Sequence, residues 1–345
     1  MSPIRVLVVD DSPTSRALLV AVLERAPDIQ VVGQAASGRE AVQLAQALRP
    51  DVVSMDVQLP DLDGYEATKL IMTYAPTRVI MVSGERVEDV QRALAAQGVG
   101  ALAAVAKPVG PASPRFEAEA RALVEMVQIM SQVEVVRRVA PPRRAPGRRL
   151  TPARKGPKPS LVALAASAGG PASLHAVLAR LPRDFAAPLL VVQHIARDFV
   201  DGLVEWLGTA GPCRVKMAQA REPLLPGVVY VAPSDLHLSV ARGQVALKDT
   251  PPQGGFRPAA DVLFAGVADV YGAEAVGVVL SGMGSDGANG LYKLARAGGT
   301  VVAQSEASSP VFGMPQAAIE AGIVSYILEP DAIGLLLVEL VGRLA

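Results

Sequence analysis

The sequence predicts an α/β protein with two doubly wound parallel-sheet domains that are joined by a basic, proline-rich linker. Short apolar runs alternate with amphipathic stretches over the first part of the chain, and the same alternation begins again at Ser160. A segment with many arginines and prolines separates the two parts. Strand–helix alternation at this spacing is typical of parallel sheets with helices on both faces. We therefore expect domains at residues 1–125 and 160–345, with a helix extension and linker at 126–159.

The composition supports two folded cores and gives no global charge signal. The chain has 345 residues, of which 50% are hydrophobic and 19% charged, and its 33 basic residues equal its 33 acidic ones. This length is enough for two domains of ordinary size. A neutral chain offers no overall argument for binding nucleic acid or a membrane surface.

The rare residue types exclude several kinds of site. Cys213 is the only cysteine, so the chain can form neither an intramolecular disulfide nor a cysteine-rich zinc site. The histidines, which are His175, His194 and His237, are far apart and show no metal-ligand spacing. The N-terminal stretch lacks the pattern of a signal peptide, and no apolar run approaches the ~18 residues that span a bilayer, so we expect a cytoplasmic protein.

In the first domain, five apolar runs predict the strands of a parallel sheet. They are IRVLVV (4–9), DIQVVGQA (28–35), DVVSMD (51–56), RVIMVS (78–83) and ALAAVA (101–106). Helical patterns lie between them, and a further one covers roughly residues 113–138. In such sheets the functional site lies at the carboxyl ends of the strands.

The linker is predicted from a break in composition. Residues 136–159 hold nine basic residues, six prolines and no acidic residue. Proline lacks the donor that a helix or sheet needs, and like charges repel, so the segment is expected to be a semi-extended, solvated tether. Contact with a nucleic acid or another acidic surface is the alternative, because basic runs bind phosphate backbones without sequence preference.

From Ser160 onward a second α/β pattern predicts the C-terminal domain. Its strand candidates are LVALAAS (161–167), PLLVVQH (188–194), CRVKMA (213–218), GVVYVA (227–232), QVALKD (244–249), AVGVVLSG (275–282) and TVVAQS (300–305). Helical patterns follow several of these runs, and no repeat of fixed period is visible.

Polar side chains at the strand ends of the first domain predict an acid pocket. Asp10 and Asp11 follow the first strand, Asp56 ends the third, Ser83 ends the fourth and Lys107 follows the fifth. Carboxylates that lie together repel one another, and a divalent cation such as Mg²⁺ relieves this repulsion. A hydroxyl and an ammonium beside them could hold the oxygens of a transferred phosphoryl group.

These residues, with the stretch VQLPDLDG after Asp56 and the pair Lys107-Pro108, resemble the receiver domain of bacterial response regulators over residues 1 to about 125. The resemblance implies a flavodoxin-like fold with Asp56 as the phosphoacceptor. It also implies a histidine kinase of the chemotaxis type as phosphodonor. Further implied roles are those of the Mg²⁺ ligands, which are Asp10, Asp11 and Asp56, and of the switch residues, which are Ser83 and Lys107. Receivers usually carry Tyr or Phe three residues before the lysine, and Ala104 stands there in this sequence.

The second domain offers a serine, a histidine and an aspartate that follow separate strands. Ser167 follows the strand LVALAA and precedes Ala-Gly-Gly-Pro, His194 ends the next strand, and Asp286 lies in LSGMGSDGANG after a later strand. Each has an ordinary structural explanation, since serine is a favoured helix cap and a lone histidine is often a packed core residue. His175 is expected to be structural or on the surface, and His237 is left open.

Together the three residues match the requirements of a catalytic triad. A hydroxyl nucleophile, an imidazole base and a carboxylate that orients the base would meet at one edge of a parallel sheet. Backbone donors from the glycine-rich loop could form an oxyanion hole. The order Ser, His, Asp and the lack of a GxSxG elbow around Ser167 exclude an ordinary α/β-hydrolase.

The stretches AASAGGP, VVQH, PGVVYVAPSDLHL, FRPAADVLF, LSGMGSDGANG and QSEASSPVFGMPQAAI resemble the catalytic domain of the chemotaxis methylesterase family CheB. The resemblance covers nearly all of residues 160–345 and implies a Rossmann-like fold. It implies Ser167 as nucleophile, His194 as general base, Asp286 as its orienting carboxylate and the Met283 backbone N–H as an oxyanion-hole donor, with no cofactor for the esterase. Departures from the family pattern are Ala168, Ile195-Ala196 and Ala259, where the family usually has Thr, Met-Pro and Ser.

The resemblance implies a phosphorylation-activated hydrolase that removes methyl groups from glutamate γ-methyl esters of methyl-accepting chemoreceptors and also deamidates receptor glutamines. We expect a monomer, recruited to receptor arrays at the inner membrane without membrane insertion or nucleic-acid binding. We also expect the unphosphorylated receiver to lie over the esterase cleft. The alternatives are a phospho-switched scaffold that has lost catalysis and a DNA-binding regulator. The second is disfavoured because the C-terminal domain lacks a short helix-turn-helix with a basic recognition helix.

Overall fold

The structure is a computed structural model that describes residues 2–84, 86–133, 148–149 and 157–344. Contacts between residues divide the chain into two compact units, Met1–Pro141 and Pro142–Ala345. The division falls inside the predicted linker at 126–159, most of which lies outside the described residues. Within the described ranges, no helix combines the length and the apolar character that a membrane span requires.

The first unit alternates strands and helices in the way that the apolar runs predict. Its strands are β1 (Ile4–Val9), β2 (Ile29–Ala35), β3 (Val52–Asp56), β4 (Arg78–Ser83) and β5 (Ala103–Ala106). Its helices are α1 (Pro13–Leu23), α2 (Gly38–Leu48), α3 (Gly64–Tyr74), α4 (Val87–Gln97) and α5 (Phe116–Ser131). The last helix is shorter than the predicted 113–138, because Gln132 already caps it.

The described strands of this unit form one parallel sheet in the order β2-β1-β3-β4-β5. Every residue of β3 is buried, and β1 and β4 are buried over most of their length, as expected of central strands covered by helices on both faces. The chain reverses its winding direction at β1 and β3, so a crevice forms at the carboxyl ends of these two strands. The sheet therefore brings the predicted acid pocket to one edge.

The second unit is larger and begins with a short strand in the basic segment. Its strands are β6 (Arg148–Arg149), β7 (Leu161–Ala166), β8 (Leu189–Gln193), β9 (Arg214–Met217), β10 (Val228–Val231), β11 (His237–Ala241), β12 (Gln244–Lys248), β13 (Ala275–Val279), β14 (Thr300–Gln304) and β15 (Tyr326–Leu328). Its α-helices are α6 (Gly170–Leu178), α7 (Val200–Gly208), α8 (Ala260–Val270), α9 (Ala288–Arg296), α10 (Gly313–Glu320) and α11 (Pro330–Val341).

The main sheet of the second unit has the order β6-β15-β14-β13-β7-β8-β10-β9 among its described strands. All pairs are parallel except β6 with β15, where Arg149 lies opposite Tyr326. The run QVALKD differs from the other strand candidates, since it forms the antiparallel hairpin β11-β12 outside this sheet. β11, β15 and the strand at Arg148–Arg149 were not predicted from the sequence.

The two central strands of this sheet position the candidate site. β7 and β13 are adjacent, and both are fully buried. β7 lies between β8 on one side and β13 on the other. The loops that follow β7, β8 and β13 therefore open into one crevice at the carboxyl ends of these three strands. Ser167, His194 and Asp286 all lie in those loops.

Candidate functional site

The acid cluster of the first unit is assembled as the sequence predicts. Carboxylate oxygens of Asp10, Asp11 and Asp56 lie within 4.8 Å of one another. Nζ of Lys107 lies 2.7 Å from Asp56 Oδ2 and 2.9 Å from Asp10 Oδ2. Oxygen atoms of this kind are the ligands that Mg²⁺ prefers, so the donor set fits that ion.

Burial and the lysine act in opposite directions on this cluster. Burial raises the pKa of Asp56 above its usual value, and Lys107 only partly offsets this effect. For Lys107, burial lowers the pKa, but the two carboxylates beside it outweigh burial and raise the value. The ammonium therefore stays charged and neutralises part of the acid pocket.

The switch residues predicted in the first unit have different surroundings. Lys107 contacts the phosphoacceptor candidate directly, as described above. Ser83 is fully buried at the end of β4, and its hydroxyl donates to the carbonyl oxygen of Gly84 at 3.0 Å. The hydroxyl would have to leave this carbonyl in order to bind a phosphoryl oxygen. Ala104 lies in β5 opposite Met81 and offers no aromatic ring.

In the second unit, backbone hydrogen bonds fix the starting points of two candidate residues. The N–H of Ser167 donates to the carbonyl of Ser281 at 2.9 Å, and the N–H of His194 donates to the carbonyl of Ala166 at 3.0 Å. Both bonds extend the parallel pairing of β7 with its neighbours by one residue. The backbone positions of Ser167 and His194 are therefore set by the pairing of the central strands.

Asp286 is bound to His194 and to the first amides of α8. Its Oδ2 lies 2.9 Å from His194 Nε2 and accepts the N–H of Ala260 at 2.7 Å. Its Oδ1 accepts the N–H of Asp261 at 2.9 Å. Burial alone would raise the pKa of Asp286, but the bond from His194 and the two backbone donors outweigh it and lower the pKa. The carboxylate is therefore ionised at neutral pH, and it stands behind the imidazole rather than in solvent.

The ionised carboxylate also defines which nitrogen of His194 is available. Because the carboxylate accepts at Nε2, this nitrogen carries a proton, and in the neutral form of the imidazole Nδ1 then holds the lone pair. Within the described ranges, Nδ1 is buried and has no hydrogen-bond partner. The hydroxyl of Ser167 makes no hydrogen bond among the residues that the structure describes. The structure thus pairs His194 with Asp286 directly, whereas Ser167 lies at the same edge without a bond to the imidazole.

Gln193 links the backbones of the serine and the histidine, and it was not among the site residues predicted from the sequence. The side chain is buried, and its Nε2 donates to the carbonyl of Ser167 at 2.8 Å and to that of His194 at 2.9 Å. This amide therefore fixes the spacing between the two residues. A polar residue directly before the histidine on a buried strand was the available signal.

The loop LSGMGSDGANG is anchored at its start. The N–H of Ser281 donates to Oε1 of Gln304 at 2.8 Å, and the hydroxyl of Ser281 donates to the carbonyl of Ala168 at 2.8 Å. A Cβ on Gly282 would lie 2.8 Å from Cβ of Ser167, so only glycine allows this close approach. Among the described residues, the N–H of Met283 has no acceptor, and its side chain is exposed.

The remaining histidines have structural partners. The ring of His175 lies 4.5 Å from that of Trp206 and 3.3 Å from the hydroxyl of Thr209, so it packs on the helix surface. His237 is fully buried, accepts the N–H of Ala259 on Nδ1 at 3.2 Å and lies 3.1 Å from the carbonyl of Pro251 through Nε2. Neither histidine belongs to the Ser167 cluster.

The fold and the two clusters define a class of protein: a receiver unit followed by an α/β unit of hydrolase type. The model of the CheB methylesterase family matches residues 162–337, and the model of the response regulator receiver domain matches residues 6–114. With the full-length relatives described next, these matches show that the chain belongs to the CheB methylesterase family and carries a receiver domain.

The relatives cover almost the whole chain. A protein of Anaeromyxobacter dehalogenans named protein-glutamate methylesterase/protein-glutamine glutaminase 3 is 50% identical over 96% of this chain and 97% of its own length. A Myxococcus xanthus protein of the same name, numbered 4, is 48% identical over 95% of both chains. The crystal structure of the Thermotoga maritima CheB methylesterase catalytic domain is 37% identical, with a TM-score of 0.52, and covers 54% of this chain and all of its own.

Proposed function

We propose that the chain is a phosphorylation-activated protein-glutamate methylesterase that also acts as a protein-glutamine glutaminase. The names of its full-length relatives support this activity. The observation that carries the proposal is the bond between His194 and the ionised Asp286 at the sheet edge that also holds Ser167. A paired imidazole and carboxylate beside a serine hydroxyl is the arrangement that acyl transfer requires.

The proposed reaction uses Nδ1 of His194, which is the ring nitrogen that is not bonded to Asp286. Oγ of Ser167 attacks the carbonyl carbon of the γ-methyl ester as its proton passes to Nδ1 of His194. Asp286 stabilises the imidazolium that forms and holds the ring in place. The tetrahedral intermediate then expels the methoxy group, which takes the proton from His194 and leaves as methanol. Water, activated by the same nitrogen, cleaves the acyl-enzyme, which restores the Ser167 hydroxyl and leaves a glutamate side chain on the receptor.

The Met283 N–H is the proposed donor to the oxyanion of the intermediate. Its lack of an acceptor among the described residues supports this role, because an oxyanion-hole donor must be free before the substrate binds. The anchored Ser281 and the close approach of Gly282 to Ser167 hold this part of the loop beside the nucleophile. A side-chain amide passes through the same type of intermediate, which extends the proposal to glutamine deamidation.

The first unit supplies the proposed control. Asp56 accepts a phosphoryl group, and Asp10, Asp11 and Asp56 would hold a Mg²⁺ ion, which would neutralise the charge of the incoming phosphate. Lys107, which already contacts Asp56, binds a phosphoryl oxygen after transfer. The proposed phosphodonor is a histidine kinase of the chemotaxis type.

The proposed substrates are methyl-accepting chemoreceptors, so the chain would be recruited to receptor arrays at the membrane and would act there as a monomer. The predicted position of the receiver over the esterase cleft stays a prediction, as does the absence of a cofactor in the esterase site.

Methanol release tests the proposal. Methylated receptor membranes from the same cell are incubated with wild type and with Ser167→Ala, and methanol is measured over time. The expected result is release by wild type and a loss of at least about 10³-fold in Ser167→Ala. Equal release by both proteins, or none by wild type, would contradict the proposal, and the second outcome would favour a phospho-switched scaffold.

A further inference from the structure

An aromatic ring lies face to face with the imidazole of the candidate base. The rings of Phe256 and His194 are parallel within 5°, and their centroids are 4.0 Å apart. The His194 side chain is 8% exposed, whereas Phe256 is 37% exposed, so one face of the phenyl ring covers the imidazole and much of the rest is open. Phe256 was not among the site residues predicted from the sequence.

Phe256 is presented by a tight turn rather than by a loose loop. Gln253 and Phe256 exchange two backbone hydrogen bonds of 3.0 Å. The two residues between them, Gly254 and Gly255, have φ values of 59° and 88°. Positive φ at both central positions is the geometry of the tightest hairpin turns, and glycine adopts it without strain. The backbone that carries the ring is therefore well defined.

The segment around this turn is also held at both ends by one buried histidine. His237 lies 3.1 Å from the carbonyl of Pro251 through Nε2 and accepts the N–H of Ala259 through Nδ1. The next two amides along the chain, those of Ala260 and Asp261, are the ones that bind Asp286. The same segment thus carries the ring against His194 and the donors that hold its carboxylate partner.

We propose that Phe256 is a positioning residue for His194 in the esterase reaction. This inference rests on the proposed function. A stacked phenyl ring restricts rotation of the imidazole, so the ring keeps the orientation that its bond to Asp286 defines. It also shields one face of the imidazole from water, and its π-face attracts the imidazolium that forms when Ser167 gives up its proton. All three effects act during the chemical step, and none of them requires contact with the substrate.

The split between kcat and KM separates this role from two others. Loss of positioning lowers kcat and leaves KM nearly unchanged. Loss of a substrate contact on the open face of the ring raises KM. A purely structural role lowers the unfolding midpoint without a matching loss of kcat in the protein that remains folded.

Three variants of the full-length protein test the inference in the methanol-release assay, namely Phe256→Ala, Phe256→Leu and Phe256→Tyr. We expect kcat to fall about tenfold in the alanine and leucine variants, with KM changed by less than about twofold, and to recover in the tyrosine variant, which restores the aromatic face. Leu225→Ala removes another exposed apolar side chain of the same unit and is expected to behave as wild type. A wild-type kcat in Phe256→Leu, or a change in KM alone, would overturn the inference.

A second assay separates failure of this inference from failure of the proposed function. A fluorophosphonate reacts with an activated serine: Oγ of Ser167 bonds to phosphorus, fluoride leaves, and His194 takes the proton. Labelling of wild type about tenfold faster than Phe256→Leu, without any methanol release, would support the inference and refute the esterase function. Equal labelling of both proteins would refute the inference. If wild type neither reacts nor releases methanol, both fail.

Discussion

Asp286 is bound by three donors at once, and this decides what its removal costs. In Asp286→Ala, His194 loses the acceptor at Nε2, so neither its tautomer nor its orientation is fixed. We expect kcat to fall about 10³–10⁴-fold, as is usual when a triad carboxylate is removed. The amides of Ala260 and Asp261 at the same time lose their acceptor, which costs about 1–3 kcal/mol of stability. Methanol release and urea unfolding measure the two effects. A loss of activity that only matches the unfolded fraction would contradict the role.

The lowered pKa of Asp286 makes its contribution to stability depend on pH. The carboxylate binds protons less readily in the folded protein than at its ordinary value of 3.8. Its contribution is therefore complete above the ordinary pKa and is lost as the pH falls through the lower folded-state pKa. We expect wild type to exceed Asp286→Asn in free energy of unfolding at pH 7 and the difference to shrink below about pH 4. Urea unfolding at a series of pH values checks this. A difference that is constant with pH would contradict the assigned environment.

The glycine-rich loop after β13 approaches the nucleophile closely at Gly282. A Cβ on Gly282 would lie 2.3 Å from Sδ of Met314 and 2.8 Å from Cβ of Ser167. Gly282→Ala must therefore displace the nucleophile or the loop, and we expect kcat to fall by at least about tenfold with a stability loss of about 1–3 kcal/mol.

Gly284 provides the matched control two residues later in the same loop. It has a φ of 79°, and nothing lies within 4 Å of an added Cβ. Gly284→Asn keeps a residue that tolerates this backbone conformation and is expected to retain most of the activity. The rates of methanol release and the unfolding midpoints of both variants are compared with those of wild type. Equal activity of Gly282→Ala and wild type would show that the close approach is not required.

The hydrophobic periodicity of the sequence could predict some of the strands but not all of them. β1, β3, β7 and β13 were predictable because buried parallel strands are continuous apolar runs, and the residues after them were predictable because such strands end at one edge. β15 was not predictable, since its residues are only partly buried and lack a distinctive run. The turn that presents Phe256 was visible as Gly254-Gly255, but its stacking on His194 arises from a contact between residues far apart in the sequence.

The two units hold different candidate sites, an acid cluster in the first and the His194–Asp286 pair in the second. Most of the segment between them lies outside the described residues, and each unit is complete in its own sheet. Composition could predict a tether but not the pairing of Arg149 with Tyr326, which joins a short part of the basic segment to the main sheet of the second unit. Ala104 stands at the position where receivers usually carry an aromatic residue, so a switch based on an aromatic ring at this position is not available to this chain.

Phosphorylation of Asp56 tests whether the receiver controls the esterase. Incubation of the full-length protein with Mg²⁺ and a small phosphodonor such as acetyl phosphate transfers a phosphoryl group to Asp56 and releases acetate. We expect methanol release to rise severalfold, because phosphorylation of Asp56 changes the charge beside Lys107 and so changes the state of the receiver. Removal of Mg²⁺ with a chelator should abolish the increase and leave the basal rate, since the Ser167 site uses no residue of the acid cluster.

Two variants test whether the increase in methanol release depends on Asp56. Asp56→Ala removes the phosphoacceptor and should retain the basal rate without any response to the phosphodonor. Asp28→Ala removes an exposed carboxylate of the same unit outside the acid cluster and should respond as wild type. Mass spectrometry reports whether Asp56 is modified, and methanol release reports the activity. A modified Asp56 with an unchanged rate would show that the receiver does not control the esterase, and a full response in Asp56→Ala would place the phosphoacceptor elsewhere.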